Sequence, residues 1–160
     1  MIDNTGEKFL LDIYNLKGER NEFNTDKKDY NCGGYALGIF SWLFPCNTED
    51  EKNKWFLNKD KNSDFNYGLE ASSEWMLSNI PNLRKIDSPY DILEKNEWVV
   101  GFKIGVGSGC GDFHFIRKSN NRFLHKIGPC DITYMDEIEA LSDSWCNGGY
   151  TSKTIWFAKK

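Results

Sequence analysis

DFHFIRKSNNRFLHKIG, residues 112–128, sets two runs rich in aromatic and branched side chains on either side of a polar SNN. That pattern reads as strand, turn, strand. The hairpin also carries both histidines of a 160-residue chain. With Ser119 and Asn120 as a two-residue turn, His114 falls directly opposite His125, their Cβ atoms about 4.5–5.5 Å apart on one face. Further strands are expected in EWVVGFKIGV (97–106) before the Gly-rich turn GSGCG (107–111), and in KTIWFAKK (153–160). TYMDEIEALSD (133–143) reads as a helix capped by Thr133.

The first half of the chain has a different character. CGGYALGIFSWLF (32–44) is apolar nearly all round, as expected of a central buried helix that stops at Pro45. LEASSEWMLSNIP (69–81) places Leu69, Trp75, Met76 and Ile80 at helical spacing, and SPYDILEKN (88–96) offers Ser88 as N-cap, Pro89 at the first helical position and Asp91 in the first turn of a second short helix. The charged run 47–68 is expected to be a long surface loop, and residues 1–30 a lead-in with one short element around Phe9 to Leu16. Helices first and an antiparallel sheet after them make the fold class α+β.

Length and composition allow one domain over residues 1–160, with six Trp, seven Tyr and eleven Phe to fill its core. A formal charge of -4 gives no electrostatic footprint for nucleic acid or for an anionic membrane. The five cysteines form no CxxC pair, so reduced thiols in a cytoplasmic protein are expected. The N-terminal stretch lacks a signal peptide's basic start and unbroken apolar run, which argues against Sec-type export and leaves non-Sec delivery open.

The chemistry concentrates on Cys32 and the two histidines. A thiol reacts as thiolate, and a helix N-terminus favours negative charge, so NCGG before an apolar helix suits a nucleophile. Gly33 and Gly34 are expected to leave open space beside the sulfur. His114 would take the thiol proton while His125 holds its second ring nitrogen and sets its tautomer. A zinc site would need further ligands such as Cys32, Cys130 or Asp131, and their spacing gives it no support. The expectation is no metal and no cofactor. Asp112 shares the face of His114 and is a candidate supporting acceptor, whereas Arg117 and Lys126 point to the other face.

NCGGYALG, DFHF and RFLHKIG together resemble the papain-like cysteine peptidase superfamily, in which Cys opens a helix and His starts a sheet strand. The closer likeness is to the NlpC-type branch, whose third member is often histidine, and to small bacterial papain-fold proteins, some of them toxin domains. The resemblance implies a papain-like domain with Cys32 as nucleophile, His114 as general base and acid, and His125 as the orienting residue. Asn31 and the Cys32 amide would then be oxyanion donors. It implies hydrolysis or acyl transfer at an amide bond through a thioester, by a peptidase, amidase or deamidase. Partners would be a protein or peptide substrate, including a host or bacterial target protein. This chain has NC where NlpC-type enzymes usually have DC. The alternative is a non-catalytic binding or effector module that presents Trp55, Phe56 and Trp145 to a partner.

Overall fold

The computed structural model describes residues 29–39, 41–56, 66–105 and 112–160. The lead-in element, the GSGCG turn and Cys110 lie outside them. The described elements, in chain order, are helices α1 (Cys32–Leu37), α2 (Glu49–Phe56) and α3 (Asn66–Asn79), strands β1 (Leu83–Ile86), β2 (Trp98–Gly105), β3 (Asp112–Ser119), β4 (Arg122–Lys126) and β5 (Ile132–Met135), helix α4 (Glu137–Ala140) and strand β6 (Ile155–Lys159). The six strands form one sheet in the order β1-β6-β2-β3-β4-β5, and every neighbouring pair is antiparallel. The fold class is α+β, as its sequence indicates. No helix among the described residues is long and apolar enough to cross a membrane.

All eight residues of β2 are buried, so the sheet is covered on both faces. On one face Val100, Phe102, Ile104, Phe113, Phe115 and Phe157 pack against Cys32 and Leu37 of α1 and Leu69 and Met76 of α3. On the other, Val99, Ile116, Phe123, Trp156 and Ala158 pack against Met135, Ala140 and Trp145. Gly101 sits where a Cβ would come within 2.6 Å of the Trp156 ring, so the central strand has a glycine where the indole crosses it.

Several local expectations give way to particular interactions. The helix opened by Cys32 stops after six residues, well short of Pro45, because Gly38 turns left-handed (φ 64°) and its N–H bonds back to Gly34 O and Tyr35 O. The charged run after Asn47 is not all loop. Thr48 Oγ1 accepts from Glu51 N while the Glu51 carboxylate accepts from Asn47 N, and this reciprocal cap starts α2. Residues 88–96 form turns, not a helix, with the Asp91 carboxylate drawn back to Asp87 N. Thr133 lies in a strand, where Ile132 and Met135 are buried against β4; the short helix begins only after Asp136. The edge strand β1, LRKI, was not anticipated because charges interrupt its apolar pattern.

The hairpin turn falls one residue later than expected. Asn120 and Asn121 both take positive φ (51° and 63°), the pair of left-handed residues that a tight primed turn requires and that asparagine tolerates. Ser119 therefore stays in β3 opposite Arg122, and His125 lies opposite Ile116 rather than His114. The histidines remain on one face as diagonal neighbours.

Candidate active site

That diagonal brings the rings together. His114 Nε2 lies 2.9 Å from His125 Nδ1, with the rings nearly perpendicular (82°). At this distance one nitrogen carries the proton and the other accepts it, so the tautomers of the two rings are linked. His114 stacks on Tyr150 (centroids 5.0 Å apart, interplanar 22°) and meets Trp145 edge-on. Burial, and then the nearby His125, push its pKa down to about 3. Burial also lowers that of His125, which Glu139 partly opposes. Both imidazoles are therefore neutral near pH 7. His114 Nδ1 has no hydrogen bond to a described residue, and it holds a lone pair when Nε2 is the donor of the bond to His125 and a proton when Nε2 is the acceptor.

Cys32 shares a cavity with His114 of this pair. Pairing of β3 with β4 stops at Ile116 and His125, so residues 112–115 have no strand beside them on that side among the described residues. The start of α1 packs beside this stretch, with the Phe115 backbone at the Cys32 thiol and the Phe115 ring against Gly33. Asn31 holds its start in place: its Oδ1 accepts from Gly34 N and Leu43 N, both at 3.0 Å, and its Nδ2 donates to Leu43 O at 2.9 Å. Cys32, Asn31, Asp112 and His114 consequently line one cavity of about 370 Å³. Trp42, Phe44 and Ile127, each about half exposed, provide its apolar mouth.

The electrostatics of the thiol differ from expectation. Burial pushes Cys32 up to about 12, and Asp112 adds to this; the backbone of Phe115 and Gly33 and the charge of Lys126 pull only partly the other way. A one-and-a-half-turn helix offers little dipole to offset desolvation. The resting group is therefore a thiol. The two glycines do not open space beside the sulfur either: a Cβ on Gly33 would press on Leu43 and Phe115, and one on Gly34 would collide with Ser41 O. They let α1 pack closely. No hydrogen bond joins Cys32 to either histidine among the described residues.

Asp112 does not bond to His114. Its carboxylate accepts from Tyr150 O–H at 3.0 Å and from Phe113 N at 2.7 Å. Burial, with Asp112 next, raises the Tyr150 pKa, so this hydroxyl keeps its proton and donates. Arg117 and Lys126 lie on the α1 face as alternation requires, Arg117 over the Trp98 ring and Lys126 donating to the carbonyls of Tyr30 and Gly128.

Comparison with family models, with curated proteins and with solved structures finds no match to this chain. The site accordingly rests on its own geometry.

Two of its members were missed from the sequence. Cys146 and Tyr150 arrive on the loop WCNGGY, closed by the isolated pairing of Trp145 with Tyr150. Cys146 Sγ lies 4.0 Å from His125 Nδ1, and both residues line or adjoin the cavity. The left-handed run at Cys146, Asn147 and Gly148 that presents the thiol has only NGG as a sequence signal, and that marks a turn rather than a site. His114, His125 and Cys146 are also the described residues that could hold a metal, their donor atoms all within 4.8 Å of one another; Cys32, Cys130 and Asp131 are not among them. Of the aromatics expected to face a partner, Trp145 is fully buried and Trp55 packs partly against the core, while the side chain of Phe56 lies outside the described residues. The described cysteines 32, 46, 130 and 146 are all free thiols.

Proposed function

We propose that the chain is a papain-like, NlpC-type cysteine hydrolase or acyltransferase acting on an amide bond, with Cys32, His114 and His125 as its triad. One observation carries the reading: the His114 Nε2 to His125 Nδ1 hydrogen bond, in a cavity shared with Cys32. If Nε2 donates that bond, the neutral His114 ring has its lone pair on Nδ1.

His114 Nδ1 then takes the thiol proton as Cys32 Sγ attacks the amide carbonyl carbon. Since thiol and imidazole are both neutral at rest, the proton moves with the attack and no preformed ion pair is needed. Collapse of the tetrahedral adduct breaks the C–N bond, and His114 gives its proton to the leaving amine. Water, deprotonated by His114, hydrolyses the thioester; an amine in its place completes an acyl transfer. Asn31, one of whose amide hydrogens is committed to Leu43 O, and the Cys32 amide are the candidate oxyanion donors. Trp42, Phe44 and Ile127 favour an acyl group with apolar surface.

A non-catalytic module on the same fold draws its support from the Cys32 thiol being held protonated. A screen of peptide-amide and glutamine substrates, read by mass spectrometry for an acyl adduct on Cys32, separates the two. The enzyme reading expects an adduct that Cys32→Ala abolishes and His114→Ala slows. Acylation spread evenly over all five cysteines, or unaffected by His114→Ala, would leave the module.

A further inference from the structure

We propose that His114 Nε2, His125 Nδ1 and Cys146 Sγ form a binding site for a divalent transition metal of the zinc class, and that loading this site disarms the base. The donors are two imidazole nitrogens and one thiol, the set that borderline-soft Zn²⁺ prefers over Mg²⁺ or Ca²⁺. With ordinary Zn–N and Zn–S bonds, tetrahedral ligands would stand about 3.3 Å apart for N and N and about 3.6 Å for N and S. The observed separations are 2.9 Å for the two nitrogens and 4.0 Å for Cys146 Sγ to His125 Nδ1, with all three atoms inside 4.8 Å. Small movements of opposite sign, chiefly of the half-buried Cys146 on its loop, would close the set. His114 and Cys146 both line the cavity, so a fourth ligand, water or a substrate atom, can enter from there. Glu139 accepts from the Cys146 backbone N–H at 2.9 Å and anchors the ligand loop from behind.

The coupling to chemistry follows from proton positions and rests on the proposed triad. Without metal, one proton lies between His114 Nε2 and His125 Nδ1. Metal binding needs a lone pair on each of these atoms. The neutral His114 ring must then carry its proton on Nδ1, where it can no longer accept one from Cys32. His125 keeps its proton on Nε2, and Cys146 loses its thiol proton to solvent, so one proton is released per metal bound. Cys32 is not a ligand, so metal and nucleophile are separable by mutation.

The test uses Co²⁺ and Zn²⁺ on the full chain. Co²⁺ should give a thiolate-to-cobalt charge-transfer band at one equivalent in wild type and in Cys32→Ala, and none in Cys146→Ser. Zn²⁺, titrated against a chromophoric chelator, should bind Cys32→Ala within about threefold of wild type. For Cys146→Ser the loss should exceed the roughly 10–100-fold typical of removing a supporting partner. Should Cys146→Ser not fold, Zn²⁺ protection of Cys146 from maleimide in the Cys32→Ala protein reads the same ligand. No band in wild type, or a band lost in Cys32→Ala and kept in Cys146→Ser, overturns the site. In the amide assay Zn²⁺ should inhibit wild type at one equivalent, and full turnover with the site loaded overturns the coupling. Because metal binding is read without turnover, failure of the triad and failure of the metal site give different results.

Discussion

Asn31→Ala should be strongly destabilising although it removes no large side chain, and its cost can be worked from three bonds. The side chain is buried and joins α1 to the returning segment at Leu43 through contacts of 2.9–3.0 Å. Alanine leaves Gly34 N, Leu43 N and Leu43 O without that partner. Leaving a buried polar group unsatisfied costs about 1–3 kcal/mol. Three such groups, partly relaxed and not additive, give about 3–5 kcal/mol, a large share of the roughly 5–15 kcal/mol that holds an ordinary domain together. With a urea slope of about 2 kcal/mol per molar, the unfolding midpoint should fall by about 1.5–2.5 M. Asn31→Asp keeps the acceptor for both N–H groups but sets a carboxylate against Leu43 O, so it should fall between wild type and alanine. The assay is equilibrium urea unfolding by tryptophan fluorescence and circular dichroism together. A shift of less than about 0.5 M for Asn31→Ala would refute the claim that this side chain fixes the cysteine turn.

Other consequences concern the histidines and the thiol. His114→Ala should lower turnover by about 10²–10⁴-fold, the usual contribution of a general base, whereas His125→Asn, which retains a hydrogen-bonding group, should leave measurable activity; equal losses would remove the distinction of roles. Alkylation of Cys32 by iodoacetamide should rise about tenfold per pH unit from pH 7 to 10 without levelling off, since the thiolate forms only toward about 12; a plateau near pH 6–7 would show a preformed ion pair. Stability should decline as pH falls from 6.5 toward about 3. His114 has its pKa depressed in the folded chain, so the unfolded chain binds the extra proton in that window. Urea midpoints between pH 7 and 5 should show this slope in wild type and a shallower one in His114→Gln, and identical slopes would contradict the neutral buried ring.

What was legible in the sequence is what short-range pattern encodes. DFHFIRK and RFLHK read as strands because aromatic and branched residues on both sides of SNN leave little else for them to do, and WVVGFKIG reads as a buried strand for the same reason. From those strands and the helical spacing of Leu69, Trp75, Met76 and Ile80 came the α+β class, the side-by-side histidines and the opposite-facing Arg117 and Lys126. Helix ends were read poorly. Gly38 and the Thr48–Glu51 cap were visible as residues, but a strongly apolar run before Pro45 and a strongly charged run after it concealed them.

Only the tertiary structure decided the register, the ionisation and the membership of the site. A slip of one turn residue, set by two left-handed asparagines, made the histidine contact diagonal. The pKa of Cys32 depends on what covers it, and burial outweighs a six-residue helix's dipole. Cys146 and Tyr150 join His114 from more than thirty residues down the chain, through a loop closed by one isolated bridge. Local sequence specifies backbone preference over a few residues, but desolvation and ligand geometry arise from groups that meet only after the chain has packed.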